Sequence, residues 1–154
     1  MNNKNGDLLR NLVRNLEKNL GLIAQVNRQD LCCGITFLQC HIITEIGKAE
    51  GISLNELSNV LNVDKGALSR TIKTLEGKGF VYKKEGKTDR RYISIMLTER
   101  GKAKFEVIQS DMQKYFCEIL DRIPENKQQQ VFEGLMLLNE AISKGCKAKH
   151  CNKK

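Results

Sequence analysis

The stretch SLNELSNVLNVDKGALSRTIKTLEGKG constrains the fold most, because it encodes two short amphipathic helices separated by only a few residues. Ser53 and Glu56 form the capping-box pattern that begins a helix, and Asp64 is a capping residue for the next helix. Apolar residues at spacings of three or four give each helix one apolar face. Two helices joined by so tight a turn are typical of a helix-turn-helix.

A two-stranded hairpin is predicted directly after these helices. VYKK and RYISIML have the composition of strands around the turn EGKTD, and in the second strand Tyr92, Ser94 and Met96 alternate with apolar residues. The hairpin tip carries several cations and offers nothing apolar to bury. A helix-turn-helix followed by a basic hairpin predicts a winged helix, whose second helix enters the major groove of DNA while the hairpin contacts the minor groove or phosphates.

The charge distribution agrees with an anionic partner. The chain has 26 Lys and Arg against 18 Asp and Glu, a net charge of +8. Between residues 64 and 104, 12 basic residues stand against five acidic ones. Such an excess favours nucleic acid as a partner. The alternatives are a solvated basic surface that keeps the protein soluble and, for Arg70, an ion pair with a neighbouring carboxylate.

Longer amphipathic helices flank the winged region on both sides. Leucines recur every four residues from Asp7 onward, FLQCHIITEI is a second helix, Thr98 caps a long helix and Pro124 begins the last one. The predicted fold is mainly α, a winged helix-turn-helix with a two-stranded β wing and a helical dimerisation region formed by the N- and C-terminal helices. The predicted divisions are dimerisation helices at 7–50 and 105–144, the DNA-binding region at 51–104, and a flexible tail rich in Cys and Lys at 145–154.

The start MNNKNGDLLR lacks the apolar stretch of a signal peptide. Elsewhere no run approaches the ~18 apolar residues that cross a bilayer. The sequence therefore predicts a cytoplasmic protein with no membrane partner.

The sequence resembles the MarR-type winged-helix transcriptional regulators over nearly its whole length. The most specific segment is TDRRYISIMLTERG, which looks like the Asp-x-Arg wing of that family followed by its Leu-Thr helix start. The resemblance implies a DNA-binding transcriptional regulator, expected to be a repressor. It also implies a homodimer on a double-stranded, pseudo-palindromic operator with half-sites about one helical turn apart. Independently, the apolar stripes of the flanking helices exceed what a small winged-helix core can cover, which favours a dimer.

The resemblance assigns roles in the wing residue by residue. Asp89 would hold the wing arginine in place, Arg91 would enter the minor groove, and Arg90 would add a groove or phosphate contact. On the helices, the positions that match base and backbone contacts are Ser69, Arg70 and Lys73, with Lys65 and Thr71 as phosphate neighbours. At the start of the supporting helix, the residues expected to donate to phosphate are Ser53 and Asn55.

The six cysteines need their own explanation, because they are too few for a disulfide scaffold and cytosolic thiols are kept reduced. Cys32, Cys33 and Cys40 lie in a region that often carries the effector site in the resembled family. Three thiolates suit a soft ion such as As(III), Cd(II) or Zn(II). The candidate effector or metal residues are Cys32, Cys33, Cys40, His41, Cys117, Cys146, His150 and Cys151. The alternatives are thiol oxidation, apolar packing of Cys40 and Cys117, and no thiol effector.

Catalytic motifs are absent from the sequence. It contains no Gly-rich phosphate loop, no nucleophile elbow and no His-Glu-x-x-His, so an enzyme is not expected. Two other classes remain open, a winged-helix adaptor that binds protein and a cytosolic thiol metal-binding protein. An adaptor would not need Arg70 and Arg91 exposed together, and a metal buffer would not need the wing.

Overall fold

The computed structural model describes residues 3–20, 34–49, 51–85 and 93–145. This part of the chain is mainly helical with one two-stranded antiparallel sheet, which confirms the predicted fold class. In chain order the elements are α1 (Asn3–Asn19), α2 (Phe37–Ala49), α3 (Leu54–Leu61), α4 (Lys65–Gly77), β1 (Val81–Glu85), β2 (Ile93–Leu97), α5 (Glu99–Leu120) and α6 (Glu125–Gly145). The first helix begins at Asn3, earlier than the predicted start at Asp7.

The predicted capping box begins α3. The Glu56 N–H donates to Ser53 Oγ at 3.2 Å, and the Ser53 N–H donates to Glu56 Oε2 at 2.9 Å. Two of the N–H groups that a helix start leaves without partners are thereby satisfied. At the other end Asn62 takes the left-handed conformation with φ 51°, and this residue closes the helix before the turn.

Helix α4 is the second helix of the helix-turn-helix and begins as predicted at Asp64. Its Oδ1 accepts hydrogen bonds from Gly66 N at 2.9 Å and from Ala67 N at 3.1 Å. The negative carboxylate also lies at the positive end of the helix dipole. At the far end Lys78 caps the helix, and Gly79 follows with φ 72°, a conformation that favours glycine.

The core of the winged region is formed by α2, α3, α4 and β2. We call Leu68, Ile72 and Leu75 the apolar stripe of α4; all three side chains are fully buried. They share the core with Leu57 of α3, Ile95 of β2, and Ile42, Ile43 and Ile46 of α2. Burial of one such side chain is worth about 1.5–3 kcal/mol, so this cluster dominates the stability of the region.

The wing is the antiparallel pair of β1 and β2, with a register that runs from Val81 opposite Leu97 to Glu85 opposite Ile93. The predicted apolar alternation is confirmed at Ile95 and Leu97, whose side chains are buried. Ile93 lies on the same face but is 43% exposed, because the hairpin has left the core by that point. The backbone of Ile95 also pairs with Ile52 just before α3, through N–H to O distances of 2.8 and 3.1 Å.

Thr98 caps α5 as predicted, since its Oγ1 accepts from Gly101 N at 3.0 Å. The chain divides into two compact units, Met1–Gln109 and Ser110–Lys154, with the boundary inside α5. In the second unit Gln128 Nε2 donates to the carbonyl oxygens of Leu120 and Ile123, both at 3.2 Å, and so closes the end of α5. The predicted divisions at 7–50, 51–104, 105–144 and 145–154 stay predictions.

None of the helices in the described part of the chain combines the length and the apolar character required to span a bilayer.

Candidate nucleic-acid interface

Helix α4 separates its side chains into two faces. The apolar stripe points into the core, and the opposite face presents four exposed polar or cationic residues, Lys65, Ser69, Arg70 and Lys73. All four are among the residues predicted to contact DNA. The faces are distinct because the stripe repeats every three or four residues, which leaves the other side of the helix to solvent.

The cations of this face have no acidic partner among the residues that the structure describes. No ion pair joins Lys65, Arg70 or Lys73 to a carboxylate there, so the alternative of an Arg70 ion pair is not realised in the described part. By contrast, Lys83 of the wing forms an ion pair with Glu76, a residue in the C-terminal part of α4. The distance from Lys83 Nζ to Glu76 Oε2 is 3.1 Å. The positive charge of the exposed face is therefore available to an anionic partner.

The threonine hydroxyls of α4 donate hydrogen bonds to backbone carbonyls of the same helix. Thr71 Oγ1 donates to the Ala67 carbonyl at 3.0 Å, and Thr74 Oγ1 donates to the Arg70 carbonyl at 3.2 Å. A phosphate oxygen only accepts hydrogen bonds, so Thr71 would have to release Ala67 before it could donate to phosphate. Its predicted role as a phosphate neighbour requires that exchange.

The start of α3 offers a weaker anion site. Ser53 is half-buried and its Oγ serves the capping box, while Asn55 is exposed. The Glu56 carboxylate completes the capping box and adds a negative charge beside Ser53. Because like charges repel, this carboxylate opposes a phosphate at the same helix end.

The wing is described as far as its paired strands. Lys84 is exposed on β1, and Glu85 and Ile93 form the last pair of the register. Asp89, Arg90 and Arg91, which carry the predicted wing contacts, lie outside the described residues.

Two residues that contact Lys78, the capping residue of α4, were not predicted from the sequence to have a role. They are Gln39 of α2 and Arg100 of α5. Gln39 is buried, with 5% of its side chain exposed, and it forms a capping box with Thr36 through two hydrogen bonds of 3.2 Å. Its Oε1 also accepts from Lys78 Nζ at 3.5 Å. The pattern Thr-x-x-Gln before an apolar run is a capping-box signal, so the sequence contained an indication of it. Arg100, which donates to the Lys78 carbonyl at 3.1 Å, follows no such pattern.

The candidate effector residues are only partly described. Cys40 is half-buried on α2, and Cys117 is exposed on α5 in the second unit. His41 is exposed and its ring meets Phe37 edge to face at 4.3 Å. Partial burial lowers the pKa of His41, against an opposing effect of Glu45. The residues that lie outside the described part are Cys32, Cys33, Cys146, His150 and Cys151.

The described ranges contain no cluster of three or more His, Cys, Asp or Glu side chains placed to hold a metal ion. The predicted metal or metalloid site therefore stays a prediction that depends on cysteines outside those ranges.

Comparison with known proteins agrees with this geometry. The sequence model of the MarR family matches residues 35–93. The chain is 30% identical over 112 residues to the HTH-type transcriptional regulator YwoH of Bacillus subtilis, an alignment that covers 72% of this chain and 81% of YwoH.

Solved structures show the same fold. Streptococcus pneumoniae FabT in complex with DNA superposes with a TM-score of 0.78 at 22% identity, over 90% of this chain and 97% of FabT. A MarR protein from Peptoclostridium difficile gives a TM-score of 0.71 at 26% identity, over 88% of this chain and 87% of that protein.

The fold and the exposed face of α4 define a winged-helix DNA-binding protein. The chain belongs to the MarR family and is a DNA-binding transcriptional regulator, not an enzyme.

Proposed function

We propose that this chain is a repressor that binds a pseudo-palindromic operator as a homodimer, with α4 in the major groove and the wing at the minor groove. The observation that carries the proposal is the division of α4 into a buried apolar stripe and an exposed face whose cations have no acidic partner in the described part of the chain. The match in fold to FabT, which was solved with DNA, supports it.

Each side chain of the exposed face has a contact suited to its chemistry. Arg70 can donate two hydrogen bonds to the O6 and N7 acceptors of a guanine, the commonest specific contact in the major groove. Ser69 is short enough to let the helix approach the base edges. Lys65 and Lys73, which are point charges on flexible stems, suit phosphate oxygens.

The wing contact rests on the resemblance in sequence. Arg91 would enter the minor groove, where narrow A·T-rich segments have an enhanced negative potential, and Asp89 would orient it. Arg90 would add a second cation at the same place. The paired strands support the assignment, since the residues of β1 and β2 become exposed toward Glu85 and Ile93.

The homodimer is supported by apolar side chains that remain exposed. On α1 the exposed residues are Leu8, Leu9, Leu12 and Leu16. On α6 they are Val131, Phe132, Leu135, Met136, Leu137 and Ile142. Exposed apolar faces of this kind mark interaction sites, and a second copy of the chain is the proposed partner that would cover each of them.

The proposed trigger for release is a soft metalloid or a thiol-directed oxidant at Cys32, Cys33 and Cys40. An effector that binds one spacing of the two α4 helices more tightly shifts the population away from the form that fits DNA, by no more than its differential affinity. Cys40 lies on α2, whose isoleucines share the core with the stripe of α4. A change at Cys40 could therefore act on α4 through the core that α2 and α4 share.

The first experiment measures DNA affinity by fluorescence anisotropy, on a duplex selected by the protein from a randomised library. Arg70→Ala and Arg91→Ala should each weaken binding by about 1–3 kcal/mol, whereas Lys73→Ala, which removes a proposed phosphate contact, should reduce the salt slope by about 1. Lys127→Ala, which removes a charge from α6, is the matched control and should bind as the unaltered protein does. Unchanged affinity and salt slope in both arginine variants would refute DNA binding through these surfaces.

A second experiment addresses the sign of regulation and the effector. Reduced, metal-free protein should lower transcript yield in vitro from a template that carries the selected duplex at its promoter. Equimolar As(III) should restore the yield, and Cys32→Ser should repress but ignore As(III). Repression that As(III) leaves unchanged would retain the repressor and exclude the metalloid as its effector, while increased transcription would identify an activator.

A further inference from the structure

The short connection between α4 and the wing is held by the beginning of α5. Thr98 Oγ1 donates to the Gly79 carbonyl at 2.7 Å, and the Thr98 N–H donates to the Phe80 carbonyl at 3.0 Å. A Cβ atom at Gly101 would overlap that Phe80 carbonyl oxygen, so the α5 backbone approaches as closely as a residue without a side chain permits. The connection is thus held by a side-chain and a backbone hydrogen bond from Thr98 and by the close approach of Gly101.

The side chain of Arg100 adds two further contacts to this connection. The guanidinium carbon lies 4.9 Å from the centroid of the Phe80 ring, and Nη1 donates to the Lys78 carbonyl at 3.1 Å. Lys78 is the capping residue at the carboxyl end of α4, where the helix dipole places partial negative charge that attracts a cation. The Arg100 side chain therefore contacts both the capping residue of α4 and the aromatic residue that leads into β1.

Lys78 also has a contact with α2. Its Nζ donates to Gln39 Oε1 at 3.5 Å, and Gln39 is itself fixed by the capping box with Thr36. Two helices, α2 and α5, thereby contact the same end of α4. The carboxyl end of α4 is consequently contacted by side chains from two other helices, through Gln39 and Arg100.

We propose that Arg100 is a positioning residue for DNA binding, which fixes the orientation of the wing relative to α4 so that both reach one duplex together. This inference rests on the proposed function, in which α4 and the wing contact adjacent grooves. Two binding elements gain from being linked only when their geometry allows simultaneous engagement. If the connection between α4 and the wing were loosened, each element would stay folded, but the two would no longer contact the same duplex at the same time.

Arg100 is an exposed cation in a basic region, so the competing role is a direct phosphate contact. The two roles predict different dependence on salt. A phosphate contact releases counterions, and its removal lowers the slope of log affinity against log salt by about 1. A positioning role acts through Phe80 and the Lys78 carbonyl, so its loss weakens specific binding while the slope is retained.

The test uses Arg100→Ala in the full chain with the library-selected duplex, and Lys102→Ala as the matched control. Lys102 lies on the same helix and its described partner is Glu99. Arg100→Ala should weaken specific binding by about tenfold, the size of one hydrogen bond plus an exposed cation–π contact. Lys102→Ala should leave it unchanged. Both affinities are measured across about 50 to 200 mM salt, well below the melting temperature of each variant.

Phe80→Leu supplies a double-mutant cycle. If Arg100 acts through the ring, the combined variant with Arg100→Ala should bind little worse than either single variant, because the two changes remove one interaction. Unchanged affinity in Arg100→Ala, a salt slope lowered by about 1, or additive losses in the cycle would each overturn the proposal. Should Phe80→Leu fail to fold, the affinity and salt slope of Arg100→Ala decide alone.

Arg70→Ala separates failure of this inference from failure of the proposed function. If Arg70→Ala weakens binding and Arg100→Ala does not, only the positioning role is refuted. If the library yields no enriched duplex, or if Arg70→Ala and Arg91→Ala both bind as the unaltered protein does, the proposed DNA contacts are refuted as well.

Discussion

The apolar side chains of the winged region and those of the last helix differ in their exposure to solvent. In α4, Leu68 and Leu75 are both 0% exposed, whereas in α6 Leu135 is 45% exposed and Leu137 is 68% exposed. No described side chain between residues 110 and 144 is fully buried. The winged region completes its core within one chain, and the second unit presents apolar surface that the proposed homodimer would cover. Similar amphipathic patterns thus have different outcomes, which depend on whether a neighbour is available in the same chain.

The largest effect is expected at the centre of the closed core. Leu75→Ala removes buried methyl groups and leaves a cavity, so the free energy of unfolding should fall by about 2–5 kcal/mol. Urea denaturation followed by circular dichroism measures the loss. Val60→Ala, at an exposed apolar position of α3, is the matched control and should change stability by less than about 0.5 kcal/mol. Equal losses in the two variants would contradict the contrast between buried and exposed positions.

The next effect concerns the exposed surface of α6. Leu135→Asp places a charge in the proposed interface, and the dissociation constant of the dimer should rise at least about 30-fold, as for a hot-spot residue. Sedimentation velocity over a concentration series measures the change. Asn126→Asp adds the same charge at an exposed position of α6 whose helical neighbours, Gln130 and Glu133, are polar, and should leave the dimer intact. A wild-type chain that sediments as a monomer would remove the basis of the comparison.

A smaller effect tests how far the winged region is determined locally. Ser53→Ala removes the side-chain half of the capping box and should lower the free energy of unfolding by about 1 kcal/mol. Ser110→Ala, in the middle of α5 and away from any helix start, should have almost no effect. Denaturation of both variants in urea provides the comparison, and a large loss at Ser110 would show that α5 depends on more than its described contacts.

The smallest effect is a pH dependence at His41. Partial burial of the imidazole lowers its pKa below the ordinary 6.5, although the residue as a whole is exposed, so between the folded and unfolded pKa values the unfolded chain binds more protons than the folded chain. Stability should therefore be highest above pH 6.5 and should decline as the pH falls through the interval between the unfolded and folded pKa values. His41→Gln should remove this component. Proton NMR titration of the imidazole checks the direction, and a raised pKa would contradict it.

Sequence reasoning succeeded where a local rule governs the structure. Three helix starts are capped by a side chain that bonds a backbone N–H three residues away, from Ser53, Asp64 and Thr98. Such short-range patterns can be recognised from one sequence. Periodicity likewise predicted the apolar stripe of α4, because the period of a helix fixes which residues share a face.

Contacts between distant segments were not predicted in the same way. Arg100 reaches Lys78 from 22 positions along the chain, and Gln39 reaches it from 39 positions away, so no spacing rule could pair them. Periodicity did predict that the stripes of the flanking helices exceed what the winged-helix core can cover, but it identifies an apolar face and not what covers it. For the wing arginines the sequence remains the only source, since Arg90 and Arg91 lie outside the described residues.

The close approach at Gly101 has a consequence for how the length of this protein can vary. A one-residue insertion or deletion between β2 and Gly101 would bring a residue with a Cβ against the Phe80 carbonyl and break the fit. The connection from Glu85 to Ile93 meets no such restriction at its ends, because these two residues are exposed and form the last pair of the ladder within the described residues. Related chains are therefore expected to differ in the number of residues within that connection, and to keep a constant count from the second strand into the helix that follows it.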